Sequence, residues 1–304
     1  MPWASKQLLF LVAGFALNLM LFVHSQDDQS GFISIDCGLQ ADRSYSEPDT
    51  GINYISDATF IDTGESKSTS PSYRNEYQQQ YGRETAVPTH KELIYVPLRN
   101  YIHVCLVNTG SGVPFISSLG LRPLPNASYE TTTGSLALVS RYDTGETPDG
   151  AGYRYPDDIL DRYWDHYDDP DDWTQLNTSS TIKSESDDPY QLPSVVMTTA
   201  STPKNPSDSL SIVLSLPDKD AEYYSYLHFA EVESLQLNQS RFQYVFGDVA
   251  GNYGPFAPQY LSRDTISDTN AWSSKYFNVS ITGAENSTLP PILNAFEIYM
   301  VNTS

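Results

Sequence analysis

Short runs of β-branched and aromatic residues recur along this chain, separated by clusters of Gly, Pro, Asn, Asp and Ser, and almost no stretch has the 3.6-residue period of an amphipathic helix. The runs fall at 32–35, 93–96, 101–107, 136–139, 195–198, 210–216, 223–229, 242–246, 276–281 and 295–301. Brief strands at regular spacing with polar turns predict an all-β protein built from packed sheets, against any α/β design. Two segments frame the series. Gly31-Phe-Ile-Ser-Ile-Asp-Cys37-Gly38 reads as its first strand, and Leu289-Pro-Pro-Ile-Leu-Asn294-Ala-Phe296-Glu297-Ile-Tyr299 carries its last.

The chain opens with one cation, Lys6, an apolar run from Leu8 to Val23 and then His24-Ser25. That is the pattern of a secretory signal peptide over residues 1–25, and the run is short for a bilayer span of about 20 residues. Six Asn-x-Ser/Thr triplets agree with export: Asn126, Asn177, Asn238, Asn278, Asn286 and Asn302. Asn205 is excluded because Pro206 follows it. Glycans at several of these positions would mark solvated surface of a protein in the secretory pathway, at the cell exterior or the outer face of the plasma membrane.

Charge narrows the partners. There are 38 Asp and Glu against 17 Lys and Arg, a formal net charge of −21, and loss of Lys6 with the leader makes it more negative. Nucleic acid is excluded as a natural partner, since phosphate would be repelled, while cationic peptides, neutral saccharides or divalent cations suit such a surface. Cysteine is sparse, with Cys37 and Cys105 alone. This is no disulfide-stapled scaffold, although an oxidising compartment allows one bridge between them. No His-Glu-x-x-His, Gly-x-Ser-x-Gly, phosphate-binding Gly loop or Cys-x-x-Cys is present, so metalloprotease, serine hydrolase, nucleotide and zinc readings lack support and no cofactor is expected.

Specific blocks then appear. Ile33-Ser-Ile-Asp-Cys37-Gly38, Tyr54-Ile-Ser-Asp57-Ala-Thr-Phe60-Ile-Asp-Thr-Gly64, Val104-Cys105-Leu-Val-Asn108-Thr-Gly110 and Arg154-Tyr155-Pro156-Asp157-Asp158 with Asp161, Arg162 and Trp164 resemble the malectin-like ectodomain of plant receptor-like kinases. So do Pro193-Ser-Val-Val-Met197-Thr-Thr-Ala200, His228-Phe-Ala-Glu231-Val-Glu233, Tyr253-Gly-Pro255-Phe256 and the segment from Leu289 to Tyr299. The resemblance implies two tandem β-sandwich lobes, taken here as 26–170 and 193–304 with a linker at 171–192 rich in Asp, Ser, Thr and Pro. Members usually continue into leucine-rich repeats, a transmembrane helix and a kinase. These do not follow Ser304, so a secreted isoform, a truncated product or an ectodomain fragment is expected. Members also carry an Arg-Asn-Cys-Tyr block and further strands where this chain has only 82–92. The first lobe is therefore expected to lack several strands, which leaves backbone and apolar faces unpaired and raises the possibility that the product binds nothing. The polar, tyrosine-dotted stretch 66–83 reads as a loop.

Two clusters are candidates for chemistry. Asp157, Asp158, Asp161, Asp165, Asp168, Asp169, Asp171 and Asp172 form a dense acidic run. Paired carboxylates can hydrolyse glycosides or ligate calcium, which would make the chain a carbohydrate-active enzyme or a metal binder. The spacing fits no calcium loop, and a structural role is expected instead, with Arg162 paired to Asp157 or Asp158 and with Tyr155 and Trp164 packed. The second cluster is aromatic. The animal protein that gives the family its name holds a glucose disaccharide with aromatics and an Asp, and its Phe-Ala-Glu-Val element resembles Phe229-Ala230-Glu231-Val232. The resemblance thus offers Tyr226, His228, Phe229 and Glu231 as ligand contacts, against core or edge packing of the same residues. The expected function is a non-enzymatic extracellular recognition module that binds a cell-wall saccharide, a cationic peptide or a co-receptor ectodomain.

Overall fold

All seven side chains of the strand Tyr223–Phe229 are buried, so it has no solvent face. A strand covered on both sides must lie inside a layered structure. The computed structural model describes residues 29–61, 63–65, 90–110, 112–129, 131, 134–145, 152–183, 188–247 and 252–302. The leader and the 66–83 stretch lie outside them. The strands are β1 (Ile33–Asp36), β2 (Ser44–Ser46), β3 (Asn53–Ser56), β4 (Leu93–Ile94), β5 (Ser118–Leu121), β6 (Ser135–Asp143), β7 (Asp165–His166), β8 (Trp173–Asn177), β9 (Thr199–Pro203), β10 (Leu210–Ser215), β11 (Tyr223–Phe229), β12 (Gln243–Gly247), β13 (Tyr253–Phe256), β14 (Asp264–Ser267), β15 (Tyr276–Gly283) and β16 (Ala295–Asn302). One helical turn, α1, spans Ser194–Met197.

A central sheet runs β14-β11-β16-β6-β4, with β7 alongside β6, and an outer sheet runs β10-β15-β12-β13. Leu210, Ile212, Tyr223, Leu227, Phe229, Val245, Phe277, Val279, Ile281, Phe296 and Ile298 fill the space between them. Alternation explains this half: odd positions of β11 and even positions of β16 point to the outer sheet. The opposite face of the central sheet is also covered. Tyr129 and Leu136 pack on Tyr224, Tyr226 and Tyr299, and Trp164, Ile182, Leu192, Val196 and Met197 pack on Ala230 and Ala295. A separate small sheet, β2-β3-β1-β5, holds the N-terminal residues around Ile52, Tyr54 and Tyr155.

The fold is all-β, as expected, but its sheets do not divide at 170 and 193. β6, from the expected first lobe, lies antiparallel to β16 from Ser135↔Asn302 to Asp143↔Ala295. The 171–192 segment is no linker either: β8 pairs with β9 over its whole length, and Trp173, Ile182 and Leu192 are buried.

Two expected strands are absent. Residues 195–198 fall in α1 and its C-cap, because Pro193 with extended backbone starts a turn that drives Val196 and Met197 into the core. Burial there overrides the β preference of paired valines. Residues 101–107 form no strand with any described residue, and Ile102, Val104 and Leu106 are about half exposed. Ile33 and Ile55 of the N-terminal sheet are exposed too. Apolar alternation without a facing strand or sheet is what loss of neighbouring strands leaves behind. Cys105 lies in this exposed stretch, Cys37 is half-buried, and both thiols are free, so the bridge considered from sequence is not made. Burial, with Asp57 and Asp36 nearby, pushes the Cys37 thiol up to about 11. That keeps it protonated and unreactive at neutral pH.

Candidate functional site

Ionisable groups concentrate on the inner face of the central sheet. The strand alternation of β16 places Glu297 and Tyr299 there. A register shift in β6, where Ile298 pairs with Ser140 and Tyr299 with Leu138, leaves Val139 as the extra residue. The bulge turns Arg141 to the same face, directly opposite Glu297. Arg141 Nε donates to Glu297 Oε2 at 2.7 Å, and its Nη1 donates to Glu92 Oε2 at 2.8 Å. Tyr129 and Tyr299 hydroxyls donate to Glu297 at 2.8 and 2.7 Å, and His228 Nε2 lies 3.1 Å from Glu297 Oε1. A second shell of charge is held by Asp158. It receives Arg162 Nε at 2.8 Å, Trp164 Nε1 at 2.6 Å and the Leu160 amide at 2.8 Å. Arg162 Nη1 donates to Tyr129 at 2.7 Å, which joins the two halves of the network. The Arg141 and Arg162 guanidiniums lie 5.6 and 5.3 Å from the Trp164 ring, within cation–π range.

Burial alone would push the Glu297 carboxyl up, but Arg141, the His228 hydrogen bond and Arg162 outweigh it and hold the group far below the usual range. The acid is thus a fixed anion with every oxygen engaged. It has no proton to give and no approach for a substrate.

The four residues singled out as ligand contacts are all buried: Tyr226 is 3% exposed, His228 and Phe229 0%, and Glu231 2%. Tyr226 and His228 share the face of the network, where Tyr226 packs edge-on against Tyr129 and Tyr190. His228 Nδ1 reaches Thr265 Oγ1 at 2.9 Å. Phe229 points to the opposite core. Glu231 lies beyond the strand and receives Arg241 Nε at 2.8 Å. None offers a ring or carboxylate to a sugar, because the central sheet is covered on both faces. They are scaffold.

The acidic run is divided by the fold. The expected pairing of Arg162 is made, with Asp158 rather than Asp157. Asp161 is held by Arg122 at 2.8 Å and Arg154 at 2.9 Å, which ties the N-terminal sheet to this region. Asp157, Asp165, Asp168, Asp171 and Asp172 are exposed. Among the described residues no group of three or more His, Cys, Asp or Glu side chains is placed to hold a metal ion.

The family's sequence profile, described as the malectin-like domain, matches residues 35–85 and 82–301. The chain belongs to the malectin-like family. The LRR receptor-like serine/threonine-protein kinase IOS1 of Arabidopsis thaliana is 33% identical over 365 residues, covering 99% of this chain and 40% of that protein. The probable LRR receptor-like kinase PAM74 of the same plant is 35% identical over 355 residues, covering 97% and 39%. The malectin-like chain therefore spans about 40% of the length of the curated relatives it matches. Alignments longer than the 304 residues mean that these relatives hold several dozen positions this chain lacks, and the profile match breaks at 82–85. That is the place where strands were expected to be missing. Among solved structures, the ANXUR1 extracellular domain of Arabidopsis matches with a TM-score of 0.61 at 15% identity, over 90% of this chain and 97% of that one. The ANX2 ectodomain matches at 0.56 with 14% identity over the same shares. These likenesses show the shared fold.

Sequence reasoning missed Arg141, Asn294 and Glu297. The available signal was a polar letter within an apolar strand, as in Ala295-Phe-Glu297-Ile. Asp143 was missed as well. It is fully buried, its Oδ1 takes the Gly145 amide at 2.8 Å, and its Oδ2 meets no hydrogen-bond donor within bonding distance among the described residues, with the Thr199 side chain beside it. A Cβ on Gly145 would come within 2.0 Å of Thr199 Oγ1, so no other residue fits beside it. Burial pushes the Asp143 carboxyl up to about 8. Between the ordinary value of 3.8 and about 8 the folded state keeps a proton that the unfolded chain has lost. Stability therefore falls as pH rises through that window. Melting temperatures at several pH values should decline from mildly acidic to mildly alkaline solution, and Asp143→Asn should flatten the decline. An unchanged slope in the variant would assign it to other groups.

Proposed function

We propose that the chain is a non-enzymatic extracellular recognition module that takes a cationic polypeptide segment or a partner ectodomain on its acidic surface. One observation carries the reading. Three buried carboxylates, Asp158, Glu231 and Glu297, are each committed to an arginine, and a fourth, Asp143, is enclosed in the core, while Asp157, Asp165, Asp168, Asp171 and Asp172 stand exposed on an excess of negative charge. Committed carboxylates hold a fold; exposed ones steer a cation. Kinship with receptor kinases and likeness to extracellular domains support placement outside the cell. A polypeptide is favoured over a saccharide because the residues proposed for sugar contact are inside the protein.

The test is a binding screen of the secreted chain against basic peptides and plant cell-wall oligosaccharides, with turnover of the latter also measured. Basic peptides should bind in about 0.05 M salt and weaken at least tenfold in about 0.5 M, where screening shortens the field to a few ångströms. Asp168→Asn with Asp171→Asn should weaken binding. Salt-independent affinity, or hydrolysis of a glycan, would reject the reading.

A further inference from the structure

The outer sheet has one face in the core and one that no layer of described residues covers. On the open face lie Ser211 and Val213 of β10, Tyr276, Asn278, Ser280 and Thr282 of β15, and Tyr244 and Phe246 of β12. The faces follow from the register Val213↔Asn278, Phe246↔Ser280 and Tyr244↔Thr282, and from burial of the alternate residues Ile212, Val245, Phe277, Val279 and Ile281. Val213 is 58% exposed, and the Tyr244 and Phe246 rings are stacked 5.5 Å apart at 21°. This is an apolar surface edged with hydroxyls.

Asn278 is exposed at its centre and begins the triplet Asn278-Val279-Ser280. The other triplets differ. Asn126, Asn238 and Asn286 lie in exposed turns, Asn177 ends the two-stranded β8–β9 pair, and Asn302 is half-buried at the end of β16. Asn278 alone of the six stands mid-strand on an open sheet face. Val213 is its direct cross-strand neighbour and Phe246 its diagonal one, a separation of about 7–8 Å that long side chains bridge. Gly247, at φ +142°, lies against the Asn278 carbonyl, where a Cβ would come within 2.0 Å. No side chain at that position intervenes between Asn278 and the Phe246 ring.

We propose that Asn278 carries an N-linked glycan whose first N-acetylglucosamine residues lie on Val213, Phe246 and Tyr244 and cover the outer sheet as a third layer. A pyranose presents a face of C–H groups and an acetyl methyl, which match the aromatic pair, while its hydroxyls meet Ser211, Ser280 and water. The attached sugar is held in place by its covalent bond, so weak stacking suffices to order it. The inference rests on export of the chain.

The test begins with glycopeptide mass spectrometry on the full chain secreted from plant cells. Occupied Asn278 is expected. A bare Asn278 beside occupied Asn126, Asn238 or Asn286 overturns the proposal and leaves export intact, whereas no glycan at any triplet overturns export itself and the proposal with it. Next, the glycans are trimmed to the first N-acetylglucosamine, and melting is compared among wild type, Asn278→Gln, Phe246→Ala and the double variant. Trimmed wild type should keep its melting temperature, Asn278→Gln should lose about 2–4 °C, and in the Phe246→Ala background the loss should vanish. An equal loss in both backgrounds would show that the sugar acts without the ring. If Asn278→Gln fails to be secreted, enzymatic release of the intact glycan from folded protein gives the same comparison.

Discussion

Replacing Glu297 by Ala should destabilise the protein by about 3–5 kcal/mol, out of a total of about 5–15 kcal/mol for an ordinary domain. The loss exceeds that of an exposed ion pair, worth at most about 1 kcal/mol, because the variant strands what remains. Arg141 and Arg162 are buried cations, and removal of Glu297 takes the fully buried one of two anions from the first, leaving it Glu92, and a hydroxyl-bridged anion from the second. The Tyr129 and Tyr299 hydroxyls lose their acceptor as well. Urea unfolding of the purified protein measures the effect, and failure to accumulate folded protein is its extreme form. Replacing the pair together, Glu297→Leu with Arg141→Met, should recover much of the loss, since apolar substitutes of similar volume often replace buried pairs at little cost. The pH dependence has a definite sign. Glu297 is held below its ordinary value of 4.5, so its contribution is complete above that pH and is lost as acid protonates the carboxylate. A Glu297→Ala variant within about 0.5 kcal/mol of wild type, the range of ordinary surface changes, would mean that water or side-chain movement replaces the network.

The second large effect is expected at Asn294. This side chain is completely buried and bonded at both ends. Its Oδ1 accepts the Ala230 amide at 2.7 Å, and its Nδ2 donates to the Thr199 carbonyl at 2.7 Å and the Met197 carbonyl at 3.2 Å. It therefore joins the end of β11 to the junction of α1 and β9, which share no sheet among the described residues. Asn294→Ala leaves three backbone groups bare at about 1–3 kcal/mol each, summed less than fully. Asn294→Asp keeps an acceptor for Ala230 but loses both donors and adds a buried charge, so it should be no milder. Hydrogen exchange at the Ala230 amide should quicken by orders of magnitude in the alanine variant. Unchanged protection there would show that the amide finds another acceptor.

Much of the fold was legible in the sequence where burial is simple. The strand at 223–229 was read with its observed ends, and those at 210–216 and 295–301 to within a residue, since long β-branched and aromatic runs leave few alternatives. The structural pairing of Arg162 with the acidic run was also legible, as a choice between Asp157 and Asp158 that the turn resolves to Asp158. Residues 101–107 have the same alternation and form no strand. Pattern reports what a segment can pair with, and pairing needs a neighbour. The short strands Ser44–Ser46 and Asn53–Ser56 escaped notice because serines and asparagine mask the stacked Tyr45 and Tyr54 rings that hold them. The candidate site failed for a related reason. Tyr226, His228, Phe229 and Glu231 are the right kinds of residue for a sugar cleft, but no local pattern tells that Tyr129, Trp164 and Tyr190 on one side of the sheet, and Arg241 and Phe256 on the other, come to cover them.

The pairing of β6 with β16 has a consequence for how such a chain is made. Arg141 and Glu297 are 156 residues apart in sequence, yet they close one ladder. During synthesis, the strand at 135–143 emerges long before its mate has been made. Its hydrogen-bonding edge and its leucines must wait, open to any chaperone or errant strand, for the whole interval of elongation. Completion of this ladder therefore waits for β16 to emerge, and its yield should depend on what guards the early edge during that delay.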